Sequence, residues 1–258
     1  MTEHPQPTYA AFRSCGVRID AVPLDEAARQ IASGEVHGAV HLCNAYTLAL
    51  ATRDEHLDAV LEQGVLNLPD GMPLVWISRR LGIDSLPRRV YGPDLMELTL
   101  DIGRERGTKH YLFGSTDAVL EQLTAEIERR WPGAAVVGSE SPPFSDDESV
   151  FDASVERIDA SGADVVWVGL GTPKQDLVVQ RLAERSDKAF VAIGAAFDFL
   201  AGTKKQAPNW VQDRGLEWAY RLVTEPRRLW KRYLIGNSLF VYQNVRHRPR
   251  LEKTISGD

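Results

Sequence analysis

A short glycine-containing segment, residues 169–175 (GLGTPKQ), has residue types that could bind a phosphate group. It follows an apolar run and precedes a helical pattern, so its backbone amides would lie at a helix N-terminus, where anions bind. Its glycines would also let a diphosphate approach the backbone closely. The segment is neither a Walker A loop nor a GxGxxG dinucleotide fingerprint, and an ordinary strand-to-helix turn remains the alternative.

Polar residues at the ends of apolar runs are the candidates for catalysis. Asp70 follows the run at 65–69 and could be a general base for a sugar hydroxyl, or the N-cap of a helix near Gly71. Asn44 could likewise orient a sugar or phosphate, or cap a helix. Asp198 lies between two phenylalanines, where a carboxylate needs a partner. That partner could be a ligand hydroxyl or an arginine of the protein, and the residues alone favour the arginine.

A basic cluster towards the C-terminus is the strongest electrostatic feature of the chain. Between residues 214 and 250, nine Lys and Arg residues stand against two Glu residues, a net charge of +7, although the whole chain carries −6. The cluster comprises Arg221, Arg227, Arg228, Lys231 and Arg232. Arginine binds diphosphates bidentately, and the interleaved aromatic residues suit an anionic membrane surface. A solvated helix face is the alternative, and the acidic remainder of the chain argues against a nucleic-acid partner.

Residue types that the chain lacks exclude several classes of site. Its two cysteines, Cys15 and Cys43, form no CxxC pair, which excludes a disulfide framework and fits a reducing compartment. It has no Asp-x-Asp motif and no Gly-x-Ser-x-Gly elbow, so we expect neither a bound metal nor an α/β-hydrolase. Because no apolar stretch reaches the roughly 18 residues of a spanning helix, we expect a cytoplasmic protein.

The elements that must position these residues alternate between short apolar runs and helical patterns. We predict strands at 38–44, 65–68, 109–113, 134–137, 164–169 and 190–194. We predict helices at 45–62, 71–81, 116–131, 147–161, 174–185, 215–224 and 226–245. This alternation predicts an α/β, Rossmann-like fold with a mainly parallel sheet and helices on both faces. Residues 1–213 would form that domain, and residues 214–258 a basic, amphipathic helical appendage.

The polar and glycine residues fall where such a fold binds its ligands. Open α/β sheets bind ligands in the crevice beyond the carboxyl ends of their strands. Asn44, Asp70, Gly114 and the segments 169–175 and 194–198 follow predicted strands at that edge. The sequence therefore predicts one site in which these residues meet.

Together the motifs resemble those of the WecG/TagA/CpsF family, glycosyltransferase family 26. The resemblance covers about residues 38–240, in order. It rests on the segments CNA (43–45), PDG (69–71), RVYGPDL (89–95), YLFG (111–114), VGLGTPKQD (168–176), GAAFDFLAG (194–202), EW (217–218) and EPRR (225–228).

The resemblance implies an inverting, metal-independent transferase without a cofactor. It would move a sugar, of the N-acetylmannosamine type or another hexose, from a UDP-sugar to an undecaprenyl-diphosphate-linked sugar. Such reactions build cell-surface polysaccharides or teichoic acids. The protein would act peripherally at the inner face of the cell membrane, with the appendage docked on the anionic membrane surface.

The resemblance also implies roles for individual residues. Asp70 would be the general base, with Asn44 and Arg89 beside it in the catalytic group. The pocket for the UDP-sugar would include Asn44, Arg89, Gly114, Gly171, Gln175 and Asp198. The acceptor diphosphate and the membrane would be contacted by Arg221, Arg228, Lys231 and Arg232.

Two alternatives compete with this function. A methyltransferase or a sugar-nucleotide epimerase on the same scaffold would show a glycine-rich loop after the first strand, which this chain lacks. A non-catalytic, membrane-recruited protein that binds nucleotide sugars stays open. Leu42 stands where several relatives have a threonine, which leaves the donor sugar open. An apolar appendage also makes a homo-oligomer plausible.

Overall fold

The computed structural model describes residues 9–143, 148–208, 210–211 and 214–252. Its strands are β1 (Ala11–Ser14), β2 (Val17–Asp20), β3 (Gly38–Cys43), β4 (Leu66–Pro69), β5 (Lys109–Gly114), β6 (Ala135–Glu140), β7 (Val165–Gly169), β8 (Ala189–Ala192) and β9 (Arg250–Leu251). Its helices are α1 (Leu24–Ser33), α2 (Ala45–Ala51), α3 (Glu55–Gln63), α4 (Met72–Arg80), α5 (Gly92–Arg106), α6 (Asp117–Arg130), α7 (Glu148–Ser161), α8 (Lys174–Ala183), α9 (Ala196–Leu200), α10 (Glu217–Thr224), α11 (Pro226–Lys231), a π-helical turn (Arg232–Gly236) and α12 (Asn237–Arg246).

Six parallel strands form the central sheet, in the order β4-β3-β8-β7-β5-β6. Strand β8 is buried along its whole length, as expected of a parallel strand that is covered on both faces. Helices α1, α5, α6 and α9 contribute to the core on one face, and α7 and α8 to the core on the other. The predicted α/β, Rossmann-like fold is thereby confirmed.

The register between β3 and β4 decides where the polar residues after these strands lie. Cys43 is paired with Pro69, and the backbone N–H of Asp70 donates to the carbonyl oxygen of Cys43 over 2.8 Å. Asn44 directly follows β3 and Asp70 directly follows β4, so the two residues are neighbours at the carboxyl edge of the sheet.

A small antiparallel sheet, β2-β1-β9, was not predicted from the sequence. Strands β1 and β2 form a hairpin, in which Phe12 pairs with Ile19, and β9 adds to the other edge of β1. Each hairpin strand has only four residues, too few for a period to stand out. Because β9 comes from the C-terminal part, the two ends of the described chain lie side by side.

The single helix predicted over 45–62 is wrong, since the structure has two helices, α2 and α3, with a break between them. Asp54 caps α3, and its carboxylate accepts hydrogen bonds from the backbone N–H groups of His56 and Leu57, each over 3.1 Å. An N-cap carboxylate satisfies amides that have no partner within the helix, so it starts a new helix here. Helix α5 was also not predicted.

The C-terminal helices pack against the α/β body. Phe240 of α12 is buried in a cluster with Leu48 of α2 and Phe12 of β1. The division into 1–213 and 214–258 stays a prediction. Among the described helices, none has the length and apolar character needed to cross a bilayer.

Candidate active site

Two adjoining pockets lie at the carboxyl edge of the sheet, where β3, β4, β7 and β8 end. The central pocket, of about 170 Å³, is lined among others by Asn44, Tyr46, Asp70, Trp76, Arg89, Tyr91, Glu217, Trp218, Arg221, Arg232 and Tyr233. The glycine pocket, of about 100 Å³, is lined among others by Gly171, Gln175 and Gly194. Both are lined by Asn44, Asp70, Tyr91, Arg221 and Arg232. Side chains far apart in the sequence thus meet around Asp70.

Asp70 is the acid at the centre of the site. Burial raises the pKa of Asp70 from its usual 3.8 to about 6, although the positive charge of Arg89 lowers it. Its Oδ1 atom is buried and has no hydrogen-bond partner among the described residues. The alternative of an N-cap is ruled out, because Gly71 occupies the N-cap position of α4 and that helix has no side-chain cap. Asp70 therefore does not cap α4, and burial brings its pKa closer to neutrality.

The side chain of Asn44, in contrast, caps helix α2. Its Oδ1 accepts hydrogen bonds from the backbone N–H groups of Tyr46 and Thr47, over 3.0 and 3.2 Å, so the capping interpretation is confirmed. The side-chain NH₂ group remains for a second partner, and a hydrogen bond from Asn44 helps to lower the pKa of Asp70. Asn44 thus fixes the start of α2 and contacts the carboxylate as well.

Arg89 and Arg221, which line the central pocket with Asp70, both contact an acid that was not predicted as a site residue, Glu217. The Arg89 guanidinium lies 2.6 Å from a carboxylate oxygen of Glu217 and stacks over the Tyr91 ring, 4.0 Å from its centre. Arg221, one turn further along α10, lies 3.9 Å from the other oxygen. A sequence signal existed, because Glu217 is one of only two acids in a strongly basic segment.

Arg232 brings a third guanidinium to the site. It belongs to the π-helical turn and packs over the ring of Tyr46, 4.7 Å from its centre. Its Nε atom is buried and has no hydrogen-bond partner in the described part of the chain, and burial lowers the pKa of the guanidinium. π-Helical turns are frequent at functional sites. A cation left with unused donors in a pocket is suited to an anionic ligand.

The glycine pocket is built by the start of α8. The Gln175 Oε1 atom accepts a hydrogen bond from the backbone N–H of Gly171 over 3.0 Å, and a Cβ atom on Gly194 would lie 3.4 Å from the same oxygen. Next to Gln175, the fully buried Asp176 contacts His41 of β3 at 3.1 Å, which ties α8 to the sheet. This pocket therefore holds a preformed turn of backbone amides beside Asp70.

Four residues assigned to the site lie elsewhere or cannot be described. Gly114 ends β5 and packs against the backbone of Gly169, and it lines neither pocket. Asp198 also lies outside both pockets and pairs with Lys204 at 2.7 Å, so its partner is a lysine and not the expected arginine. The exposed Lys231 lies over Trp230. The side chain of Arg228 lies outside the described residues.

Aromatic side chains at the mouth of the central pocket were not assigned to the site. Trp76 and Trp218 are 52% and 42% exposed although they line the pocket, and Trp218 contacts Tyr233 with 6.1 Å between ring centres. Exposed tryptophans at a pocket offer flat apolar faces to a ligand. The aromatic spacing around Tyr233 was visible in the sequence, but nothing there connected it with Trp76.

Within the described ranges, no three His, Cys, Asp or Glu side chains lie close enough together to hold a metal ion. The charged groups that line the central pocket, among the residues that the structure describes, are two carboxylates and three guanidinium groups. This arrangement can accept a proton at Asp70 and stabilise negative charge at the arginines.

The family model described as "Glycosyl transferase WecG/TagA/CpsF family" matches residues 12–254 of the chain. The match includes the strands, both pockets and the C-terminal helices.

Proposed function

We propose that this chain, which belongs to the WecG/TagA/CpsF family of glycosyltransferases, transfers a sugar from a UDP-sugar to a polyprenyl-diphosphate-linked acceptor sugar. The donor sugar is of the N-acetylmannosamine type or another hexose, and the product serves the synthesis of a cell-surface polysaccharide or teichoic acid. The observation that carries the proposal is the buried Asp70 carboxyl, whose Oδ1 has no hydrogen-bond partner among the described residues, at the junction of two pockets lined by Arg89, Arg221 and Arg232.

Asp70 acts as the general base. Its carboxylate takes the proton of the acceptor hydroxyl while the hydroxyl oxygen forms a bond to the anomeric carbon of the donor. The bond from that carbon to the phosphate oxygen breaks, and UDP leaves with the bonding electrons. Because attack and departure occur on opposite faces in a single displacement, the configuration at the anomeric carbon inverts.

Positive side chains stabilise the leaving diphosphate. Arg221 and Arg232 line both pockets, so they can reach a diphosphate bound in the glycine pocket. Charge stabilisation by fixed guanidinium groups supplies what a divalent cation supplies in many other nucleotide-sugar enzymes. We therefore propose transfer without a metal. The donor-binding roles of Asp198 and Gly114 stay predictions.

The membrane-facing side of the molecule is proposed to be the exposed apolar surface formed by Trp218, Trp230, Leu234 and Ile235. These side chains are 42–59% exposed. Trp230, Leu234 and Ile235 are close in sequence to the pocket residues Arg232 and Tyr233, and the Trp218 ring contacts the Tyr233 ring. An apolar surface with neighbouring cations such as Lys231 suits the headgroup region of an anionic bilayer. Docking there would bring a lipid-linked acceptor to the pocket mouth.

The experiment that tests the function is UDP release by the purified protein, offered a panel of UDP-sugars and a short-chain lipid-diphosphate-GlcNAc acceptor, with and without EDTA. We expect acceptor-dependent release that survives EDTA and is lost in Asp70→Asn. Binding of UDP-sugars without release from any donor would favour the non-catalytic, nucleotide-sugar-binding alternative. Release that requires an added metal would contradict the metal-free mechanism.

Membrane docking needs its own assay. Sedimentation with anionic liposomes should fall strongly when Trp230, Leu234 and Ile235 are all replaced by Ser, while UDP binding is kept. The matched control replaces Val241 and Val245 by Ser, because these exposed apolar residues lie on α12, further from the pocket along the chain. Equal loss of liposome binding in both variants would contradict a docking surface at the pocket mouth.

A further inference from the structure

Glu217 is a buried acid in an otherwise basic segment. It is the first residue of α10 and is only 8% exposed. A buried carboxylate is costly unless it is paired, so its environment should show what it is for.

The contacts of Glu217 join the C-terminal helices to the α/β body. One carboxylate oxygen lies 2.6 Å from the Arg89 guanidinium, and the other accepts a hydrogen bond from the Tyr91 hydroxyl over 3.3 Å. Arg221 lies 3.9 Å from that second oxygen. Glu217 thus engages one arginine of the body and one of its own helix.

Asp70 lines the same pocket but does not share these partners. Within the described part of the chain, neither Arg89 nor Arg221 forms an ion pair with Asp70, and its Oδ1 has no hydrogen-bond partner. A guanidinium in contact with a carboxylate lowers its pKa by about 1–3 units and weakens it as a base. The direction of the two arginines and the negative charge of Glu217, which itself raises the pKa of Asp70, therefore decide together how readily Asp70 takes a proton.

We propose that Glu217 is a positioning residue that holds Arg89 and Arg221 away from the Asp70 carboxylate, so that Asp70 stays basic enough to accept the proton of the acceptor. Glu217 and Arg221 belong to the C-terminal helices, whereas Asp70 and Arg89 belong to the α/β body. The packing of α10 on the α/β body thus brings Glu217 to the site, where it keeps Asp70 able to act as a base. The inference rests on the proposed function only in that the proton comes from an acceptor hydroxyl.

The other groups that face Asp70 do not replace Glu217. These groups either shift the pKa of Asp70 or have their own pKa shifted by its charge. Cys43 ends β3 and Asn44 follows it, and Arg89 and Tyr91 precede α5. Arg221 lies on α10, and Arg232 and Tyr233 lie on the π-helical turn. Among the described residues lining the two pockets, Glu217 is the one carboxylate besides Asp70. Its removal leaves Asp70 as the one carboxylate among the described residues that line the two pockets.

The first test is the pH dependence of UDP release by Glu217→Gln, with Glu217→Asp as the variant that keeps the charge. In Glu217→Gln we expect the midpoint of the acidic limb to move down by about one pH unit, with a lower plateau rate. In Glu217→Asp the midpoint should stay within a few tenths of a unit of the wild type. A lower plateau with an unmoved midpoint in Glu217→Gln would mean a merely structural role and overturn the proposal.

The second test does not need turnover. Urea unfolding at a series of pH values, with and without Asp70→Asn, reports the pKa of Asp70 in the folded chain as the pH above which the difference between the two stability curves stops growing. In the Glu217→Gln background this pH should be about one unit lower. If the shift occurs but no UDP is released, the proposed function fails and the positioning role stands. No shift overturns the positioning role, whatever the assay of release shows.

If Glu217→Gln alone does not fold, the same unfolding comparison is made in an Arg89→Gln background. The buried guanidinium that pairs with Glu217 is then absent. Glu217→Gln should still lower the pKa of Asp70, because Arg221 is released towards it. An unchanged pKa in this background overturns the proposal as well.

Discussion

Replacing Asp70 by Asn should make the protein inactive and more stable at neutral pH. Burial raises the pKa of this carboxyl from 3.8 to about 6, so the fold disfavours its charged form. The difference of about two pH units in pKa corresponds to roughly 3 kcal/mol at 1.36 kcal/mol per unit. An amide of the same shape has no charge to desolvate and avoids that cost.

The sign of the effect depends on pH. Below about pH 4 Asp70 is protonated in both the folded and the unfolded chain, so the ionisation cost is absent. Between pH 4 and pH 6 the unfolded chain loses the proton first, and the free energy of unfolding of the wild type falls. Above pH 6 the full difference is present. The stabilisation by Asp70→Asn should therefore be near zero at pH 4 and about 3 kcal/mol at pH 7.5.

Urea unfolding at pH 4, 6 and 7.5 measures this difference, and UDP release at pH 7.5 measures activity. For a chain of this size, 3 kcal/mol corresponds to a rise in Tm of about 6–12 °C. Loss of a general base lowers the rate by about 10²–10⁴-fold. The exposed Asp84→Asn is the matched control and should change neither quantity. A variant that is less stable at pH 7.5, or as active as the wild type, would refute the assignment of Asp70 as a strained catalytic base.

Three further outcomes follow from the same geometry. The rate of UDP release should fall below about pH 6 as Asp70 becomes protonated, and a rate independent of pH between 5 and 8 would contradict its role as base. Arg232→Gln should lower kcat/KM for the UDP-sugar by about 10–100-fold, because a charged contact is worth roughly 1.5–3 kcal/mol. Arg246→Gln, on the exposed end of α12, should leave kcat/KM unchanged. Both values come from initial rates of UDP release at a series of donor concentrations. Gly114→Ala should lower the free energy of unfolding in urea by more than 2 kcal/mol, since the φ of Gly114 is +116° and a Cβ would lie 2.8 Å from the Gly169 carbonyl oxygen. Gly133 has a φ of +95° but open space around it, so Gly133→Ala should lower that free energy by only about 1 kcal/mol.

The fold class followed from local patterns because each core strand is a short apolar run bounded by polar or glycine residues. Buried parallel strands need apolar residues on both faces, so β3, β7 and β8 are visible without any partner. The strands β1 and β9 were not visible, because four and two residues carry too little pattern. The pairing of β9 with β1 also joins the two ends of the described chain, which no local window contains.

The polar residues at strand ends were also within reach of the sequence. In a parallel sheet the carboxyl ends of all strands lie at one edge, so Asn44, Asp70, Gly171 and Gln175 could be assigned to a common site. The charge pattern singled out the arginines of the C-terminal helices, and the resemblance to the family gave Arg89 a role in the site. What these residues do for one another remained open at that stage, because Asp70 and Asn44 each fitted a helix cap as well as a catalytic role.

Composition, strand pattern and motif order thus determined the α/β fold, the edge that holds the site and the transferase family. Only the tertiary structure decided that Asn44 caps a helix whereas Asp70 does not, and that Asp198 pairs with Lys204 outside the pockets. It alone brought Glu217 to Arg89 across more than a hundred residues of sequence. The physical reason is that desolvation and charge pairing depend on distances of a few ångströms, and those distances exist only once the C-terminal helices pack on the sheet edge.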